Sequence, residues 1–122
     1  HRETLAMLDL PDPPTAILVA SMISAIGVRR ALLETGRVMG REISVITHDD
    51  DLSYLKNGAD VPIFTATRSS VRGAGEIAAE LLINRITNPD APPQTRMLEA
   101  DLVVGRSTGP APDLARRLPP KS

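Results

Sequence analysis

Polar side chains follow two apolar stretches of the chain at positions that suit ligand binding. Ser21 comes directly after the apolar run 15–20, and His48 and Asp49 come directly after the apolar run 43–47. The segment between the runs has helical periodicity, so the three pieces predict a strand, a helix and a second, parallel strand. Parallel sheets bind ligands beyond the carboxyl ends of their strands. The sequence therefore predicts a polar ligand site that contains these three side chains.

The three consecutive aspartates at 49–51, next to His48, leave more than one interpretation open. Their carboxylates resemble a metal cluster, but neighbouring residues in a turn point in different directions, so no metal ligand is predicted. They also suit the cap of a following helix, or polar contact with a ligand at the strand end. Ser21 has the same two roles available, as a helix N-cap or as a ligand contact. Arg68, which follows a third apolar run at 61–66, is either solvated or binds an anionic ligand group.

No catalytic template is present in the sequence. It contains no Walker loop, no Gly-x-Gly-x-x-Gly, no Gly-x-Ser-x-Gly and no His-Glu-x-x-His. It also contains no cysteine, which excludes disulfides, thiolate nucleophiles and cysteine zinc sites and is typical of a cytosolic protein. The sequence therefore predicts no catalytic residue, no metal and no cofactor, and a chain that is not an enzyme.

Composition predicts one domain with an aliphatic core. The chain has 122 residues, of which 42% are apolar, and Tyr54 and Phe64 are its only aromatic residues. Its net charge is −1, and no cluster of Lys and Arg is larger than a pair. That balance argues against a nucleic-acid contact surface in this segment. No apolar run approaches the roughly 20 residues of a membrane span, and the absence of an initiating methionine indicates a piece of a longer chain.

Periodicity and capping residues predict the elements. Ser21 caps a helix that Gly36 ends in a left-handed conformation, and Ser69 or Ser70 caps a helix over 71–87. The near-continuous apolar run at 15–20 predicts a strand that is buried on both faces. Further strands are predicted at 43–47, at 61–66 with an irregular start at Pro62, and at 97–104 with one face exposed. The remaining predicted elements are a helix at 2–8, a turn or short helix from Asp49 to Leu55, a loop from Gly105 and a disordered tail at 110–122.

A family resemblance rests on the order and spacing of several short motifs. They are Pro14 to Ser21, Ala25-Ile26-Gly27, Arg30-Ala31-Leu32, Gly36, Ile43 to Ile46, Asp49-Asp50, Ile63 to Arg68, Gly75, Ala78 to Leu82, Pro89 to Pro93 and Leu102 to Val104. In this order they resemble the effector-binding domain of lactose-repressor (LacI/GalR) family transcriptional regulators, over about residues 4–112. The resemblance implies that the chain is the last third to half of such a regulator.

The resemblance implies a fold class and a division of the chain. The expected fold is α/β and periplasmic-binding-protein-like, with a parallel sheet flanked by helices on both faces, of which this chain supplies the C-terminal part. Residues 1–109 are expected to form a partial effector-binding and dimerisation domain, mainly the C-terminal subdomain. The segment 69–97 is assigned either to that subdomain or to the N-terminal one, and the tail 110–122 lies outside both.

The resemblance also implies which residues bind the effector, a sugar or related metabolite held in the cleft between the subdomains. Asp49 matches the first aspartate of a family motif, Gly-Tyr/Phe-Asp-Asp, whereas Thr47 and His48 depart from it. Ser21 stands where the family usually has asparagine. These departures from the family's usual residues predict a ligand that differs from the usual one of the family or is larger than it. Arg68 and Ser69 match the crossover between the subdomains, so the predicted effector-binding residues are Ser21, His48, Asp49, Arg68 and Ser69.

A homodimer is the expected assembly. Family members dimerise through the helix after the first of these strands and through the segment after the Asp-Asp turn. The corresponding interface residues here are Met22, Ile23, Ile26, Arg29, Arg30, Ser53, Tyr54 and Asn57. The helix carries apolar groups on more sides than one sheet face needs, which favours a two-fold contact. The alternative is that missing parts of the same chain cover them.

The expected function is that of the sensing segment of a cytoplasmic transcriptional regulator. Its partners are a small-molecule effector, a second copy of the chain and operator DNA, which is bound only through an N-terminal helix-turn-helix absent from this chain. No membrane association is expected. The alternative is a periplasmic sugar-binding protein of a transport system. A signal peptide upstream of His1 would favour that alternative, and a helix-turn-helix there would favour the regulator.

Overall fold

The structure is a computed structural model that describes residues 1–51 and 55–112. The elements in chain order are α1 (Arg2–Leu8), β1 (Ala16–Val19), α2 (Met22–Glu34), β2 (Ser44–Asp49), β3 (Thr65–Arg68), α3 (Val71–Thr87) and β4 (Asp101–Val103). The predicted succession of strand, helix and strand is confirmed as β1, α2 and β2. Most of the predicted tail, from residue 113 onward, lies outside the described residues, as does the middle of the turn predicted after Asp49.

The four strands form one sheet in the order β1-β2-β3-β4. β1, β2 and β3 are parallel, and β4 runs antiparallel to β3. The register sets Leu18 beside Ile46, and Asp49 beside Arg68. Parallel neighbours need a connection that returns the chain to the same end of the sheet, and α2 supplies it between β1 and β2. The predicted α/β class with a mainly parallel sheet is confirmed.

The core lies between α2 and the face of the sheet that this helix covers. Ala25, Val28 and Leu32 of α2 are at most 3% exposed, and they form one cluster with Val45 and Phe64. A leucine at the end of α1 joins the same cluster. Burial of apolar surface is the main force that holds such a cluster together. With one aromatic member, the cluster is the aliphatic core that composition predicted.

Serine caps and a left-handed glycine set the ends of the helices. The hydroxyl of Ser21 accepts a hydrogen bond from the Ser24 amide at 3.3 Å, as the predicted N-cap of α2. Beyond the other end, Gly36 has a φ of +69°, which glycine adopts without a steric penalty. The N-cap of α3 is Ser70 and not Ser69, and the Ser70 hydroxyl accepts a hydrogen bond from the Gly73 amide at 3.0 Å.

The expectation that the first strand is buried on both faces is wrong. β1 spans only Ala16–Val19, and its side chains alternate. Ile17 and Val19 pack against the core, whereas Leu18 is 81% exposed. Among the described residues, the helix that packs on the sheet is α2, and it lies on the side of the core. The other face of β1 therefore has no cover in this part of the chain.

The bounds of β2, β3 and β4 also differ from the prediction. β2 continues to Asp49 instead of ending at residue 47. β3 begins at Thr65 instead of residue 61, because Pro62 has no amide to donate and the side chain of Asn57 occupies both backbone groups of Phe64, each at 2.7 Å. β4 is confined to 101–103 rather than 97–104.

α3 has the predicted extent but no buried residue. Its side chains Leu82, Ile83 and Ile86 are 61%, 61% and 71% exposed. An apolar helix face of this size normally packs against another element. The partner of α3 is therefore not among the described residues. None of the helices in the described ranges has the length and apolar character needed to cross a bilayer.

Candidate functional site

The carboxyl ends of β2 and β3 bring two charged side chains together. Asp49 is the last residue of β2 and Arg68 the last of β3, and the register makes them neighbours. A guanidinium nitrogen of Arg68 lies 3.3 Å from a carboxylate oxygen of Asp49. The side chain of Asp49 is 8% exposed and that of Arg68 is 43% exposed. The guanidinium thus supplies the opposite charge that a largely buried carboxylate requires.

The Asp49 carboxylate also shapes the turn that follows β2. Its other oxygen accepts a hydrogen bond from the Asp51 amide at 3.1 Å, which makes an Asx turn. Asp51 has a φ of +56°, in the left-handed region that aspartate enters more readily than most residues. The aspartates therefore act as turn-forming residues, and one of them is paired with an arginine as well.

A cleft of about 270 Å³ lies beside this pair. Asp49, Asp51, Lys56 and Arg68 line it, together with residues between 55 and 62. Among the described residues, its charged groups are therefore two carboxylates and two cations. The Nε atom of Arg68 is buried without a hydrogen-bond partner among the described residues, which leaves one donor unused next to the cleft. Balanced donors and acceptors suit a neutral ligand with hydroxyl groups, because each hydroxyl both donates and accepts.

His48 faces the opposite side of the sheet from Asp49. Successive side chains of a strand alternate, so Asp49 is buried and His48 is half-buried on the other face. Nδ1 of His48 lies 2.9 Å from the Thr67 hydroxyl, and Nε2 lies 3.2 Å from the Ser69 hydroxyl. The structure thus divides the predicted effector residues into an Asp49–Arg68 pair and a His48–Ser69 pair.

Within the described part of the chain, the hydrogen bonds of the Ser21 hydroxyl reach neither pair. Its hydroxyl accepts from the Ser24 amide and donates to the Ser24 hydroxyl at 3.1 Å. Both bonds belong to the start of α2, so the N-cap interpretation is confirmed and the ligand contact stays a prediction. In the ranges 1–51 and 55–112, no group of three or more His, Asp or Glu side chains is arranged to hold a metal ion.

Four of the predicted dimer residues lie on the exposed side of α2. Ile23 is 72% exposed and Ile26 is 46% exposed. Arg29 and Arg30 are exposed as well. Exposed isoleucines beside charged residues on one helix provide the apolar centre and polar rim that a protein interface needs.

Two of the predicted dimer residues are buried within the chain, and their part in an interface stays a prediction. Met22 is 6% exposed and belongs to the core cluster. Asn57 is 7% exposed, and its amide is used by the backbone of Phe64. Both side chains pack within the chain, because α2 turns Met22 toward the sheet and the loop folds Asn57 inward. Ser53 and Tyr54 lie outside the described residues.

Sequence reasoning missed two residues that shape this region, Lys56 and Ser107, and assigned a different role to a third, Asn57. Lys56 lines the cleft, Asn57 holds the start of β3, and the buried Ser107 bonds to both β2 and β3. The Asn57-Gly58 dipeptide is a turn signal that marks the loop, although it does not reveal the inward amide. Ser107 has no local signal, because its partners are 42 and 62 positions away.

Comparison with known proteins assigns the chain to a family. A family model for the periplasmic binding protein-like domain matches residues 2–108, so the chain belongs to that family. Over 114 residues it is 44% identical to the HTH-type transcriptional regulator AglR of Rhizobium meliloti (strain 1021). The alignment covers 93% of this chain and 32% of AglR.

Solved structures narrow the assignment to LacI family transcriptional regulators. A lac repressor dimer bound to operator and the anti-inducer ONPF is 28% identical, with a TM-score of 0.74 over 89% of this chain and 37% of that one. The complex of the transcriptional regulator CelR with cellobiose is 28% identical, with a TM-score of 0.67 over 87% and 33%. The chain is part of the effector-binding domain of such a regulator and spans about a third of these relatives. All three are transcriptional regulators, which agrees with the expectation that the chain is not an enzyme.

Proposed function

We propose that the chain is the ligand-sensing and dimerisation segment of a LacI-type regulator, which binds a sugar or related metabolite in a cleft between two subdomains. The observation that carries the proposal is the Asp49–Arg68 pair at the carboxyl edge of two adjacent parallel strands, beside a cleft of about 270 Å³. Ligands of α/β proteins bind at that edge. The complex of the relative CelR with cellobiose supports a saccharide effector.

The residues at the cleft suit a ligand with several hydroxyl groups. In the proposal Asp49 accepts hydrogen bonds from ligand hydroxyls, while Arg68 and Lys56 donate to ligand oxygens. Hydrogen bonds with one ionised partner are shorter and stronger than neutral ones. His48 and Ser69 form a second polar pair at the same carboxyl ends of the strands but on the opposite face of the sheet, and Ser21 follows the neighbouring strand. We assign these three residues to contacts with a ligand larger than one sugar ring.

The Asp49→Asn substitution in the intact regulator tests the site. We expect saccharide affinity to fall roughly 10- to 100-fold, because a hydrogen bond to a charged group contributes about 1.5–3 kcal/mol. Titration calorimetry with cellobiose and other neutral mono- and disaccharides measures the change. Asp90→Asn, in an exposed turn beyond α3, is the matched control and should bind like the wild type. Equal affinity of Asp49→Asn and wild type for every saccharide that binds would remove Asp49 from the site.

We assign residues 1–109 to a partial effector-binding and dimerisation domain, mainly the C-terminal subdomain. α3 has no buried residue, and the chain covers only 32% of AglR. The segment 69–97 therefore suits a place against the N-terminal subdomain, whose sequence lies outside this chain. The tail 110–122 lies outside the domain in this proposal.

We also propose that two copies associate through the exposed side of α2, with Ile23, Ile26, Arg29 and Arg30. The lac repressor to which the chain is similar is a dimer. Ile26→Asp in the intact regulator should give monomers in sedimentation velocity, because a carboxylate is costly to bury in an apolar contact. Val38→Asp is the matched control, since Val38 is 47% exposed and Ile26 is 46% exposed. A dimer that survives Ile26→Asp would place the interface elsewhere.

In this proposal operator DNA is bound by an N-terminal helix-turn-helix outside the chain, and the regulator acts in the cytoplasm without membrane association. The net charge of −1 supports a segment that does not itself contact DNA. The sequence upstream of His1 is the direct test. A helix-turn-helix there is the expected result, and a signal peptide would favour a periplasmic sugar-binding protein instead.

A further inference from the structure

Ser107 stands at the point where the ladder between β2 and β3 begins. The paired residues of the two strands start at Ile46 and Thr65. Just before that point, the Val45 amide donates to the Ser107 carbonyl at 2.8 Å, and the Ser107 hydroxyl donates to the Val45 carbonyl. The Thr65 amide donates to the same hydroxyl at 2.8 Å. One fully buried side chain thus serves the backbone of both strands.

The residues on either side of Ser107 also contact Thr65, the first residue of β3. We call 105–109 the C-terminal strap. The Thr65 hydroxyl lies 2.7 Å from the Thr108 hydroxyl and accepts a hydrogen bond from the Gly105 amide at 3.0 Å. A β-carbon on Gly105 would lie 2.6 Å from the carbonyl group of Phe64, so only glycine lets the strap approach this closely. The strap is therefore fitted against the first residue of β3.

The start of β3 is linked to the candidate site by a short ladder. β3 has only four residues, and its pairing with β2 runs from Thr65 to Arg68, which lies beside Asp49. Beyond that pair, the Ser69 amide donates to the Asp49 carbonyl at 3.2 Å. A slip of one residue in this register would turn every side chain of β3 to the opposite face. A contact that holds Thr65 in its pairing with Ile46 therefore also holds Arg68 beside Asp49.

We propose that Ser107 is a positioning residue for the candidate effector site, because its hydroxyl sets the register of β2 and β3 that brings Asp49 to Arg68. The proposal rests on the proposed function only for the identity of that site. A hydroxyl donates one hydrogen bond and accepts others, so it serves the Val45 carbonyl and the Thr65 amide at once. An alanine side chain makes no hydrogen bond to the Val45 carbonyl or the Thr65 amide, so both groups stay buried without this partner.

Hydrogen exchange of the intact regulator, followed by mass spectrometry without any saccharide, tests the proposal. In Ser107→Ala we expect peptides over 65–70 to exchange roughly five- to tenfold faster, the change that loss of about one net hydrogen bond makes to a local opening equilibrium. Peptides over 22–34, in α2, should keep their rates. Thr87→Val is the control, because it removes a hydroxyl whose hydrogen bonds lie at the end of α3 and not at the ladder. It should leave exchange over 65–70 near the wild-type rate.

Two results would overturn the proposal. One is unchanged exchange over 65–70 in Ser107→Ala, and the other is an equal rise over 22–34, which would report a general loss of stability. If Ser107→Ala does not fold, Ser107→Cys keeps a similar size with a weakly hydrogen-bonding sulfur and is read by the same criteria. Because no saccharide is present, this outcome is independent of the Asp49→Asn titrations, which test whether the site binds an effector.

Discussion

α2 and α3 begin alike and lie in different surroundings. Each starts at a serine whose hydroxyl accepts a hydrogen bond from an amide three residues later, and each carries several large apolar side chains. α3 has no buried residue, whereas the buried residues of α2 are Met22, Ala25, Val28, Ala31 and Leu32. An apolar helical pattern therefore shows the need for a partner, but it does not show whether that partner belongs to the same segment of chain.

The two faces of the sheet show the same contrast. Val45 and Ala66, on the face that α2 covers, are 0% and 1% exposed. Leu18 and Leu102, on the other face, are 81% and 65% exposed. The core of the described residues therefore lies on one side of the sheet. In the domain assignment proposed above, the N-terminal subdomain covers α3.

The largest expected effect separates a leucine of α2 from a leucine of α3. Leu32 is 1% exposed, so Leu32→Ala should lower the free energy of unfolding of the 122-residue chain by roughly 2–5 kcal/mol. Leu82 is 61% exposed, so Leu82→Ala should change it by less than about 0.5 kcal/mol. Urea unfolding followed by circular dichroism measures both values.

A polypeptide extended to include the N-terminal subdomain sharpens the same comparison. If that subdomain covers α3, Leu82→Ala should become a core substitution and cost roughly 2 kcal/mol or more. Leu32→Ala should cost as much as before, which makes it the internal reference. A near-neutral Leu82→Ala in the longer polypeptide would show that α3 has no partner there, and the assignment of 69–97 would then be wrong.

A pair of asparagines gives the second prediction. Asn57→Ala removes an amide that is 7% exposed and leaves the N–H and C=O of Phe64 without these bonds, at a cost of roughly 1–3 kcal/mol. Among the described residues, the side chain of Asn84 in α3 accepts an exposed hydrogen bond from the Asn88 side chain, so Asn84→Ala should stay within about 0.5 kcal/mol. Thermal unfolding of the two variants ranks them. Equal losses of stability in the two variants would show that the loop around Asn57 and α3 do not differ in packing.

Local rules explain the parts of the fold that the sequence predicted correctly. The caps at Ser21 and Ser70 and the left-handed Gly36 depend on backbone groups only a few residues away. The placement of Asp49 and Arg68 at one edge of the sheet follows from a rule of topology, since the carboxyl ends of parallel strands share an edge. The structure pairs these two side chains, and their contact with an effector stays a prediction.

Distant partners explain the parts that were wrong or missed. The start of β3 at Thr65 depends on the inward amide of Asn57 and on the hydroxyl of Ser107, which is 42 positions away from Thr65. The exposure of Leu18 depends on what covers the second face of the sheet, and an apolar run does not reveal that. Hydrogen bonds between segments leave no periodicity in either segment, so sequence patterns do not find them.

The smallest expected effect compares the two serine caps. Ser21→Ala removes the acceptor of the Ser24 amide and should lower the free energy of unfolding of the 122-residue chain by about 1 kcal/mol. Ser70→Ala removes the same kind of acceptor from α3, but a helix without buried residues can fray while the core stays folded. Its effect on the main unfolding transition should therefore stay below about 0.5 kcal/mol, with the change seen as lost helical ellipticity instead. If Ser70→Ala lowers the transition as much as Ser21→Ala, α3 unfolds together with the core. The contrast between the two helices would then be one of exposure only, and not one of cooperativity.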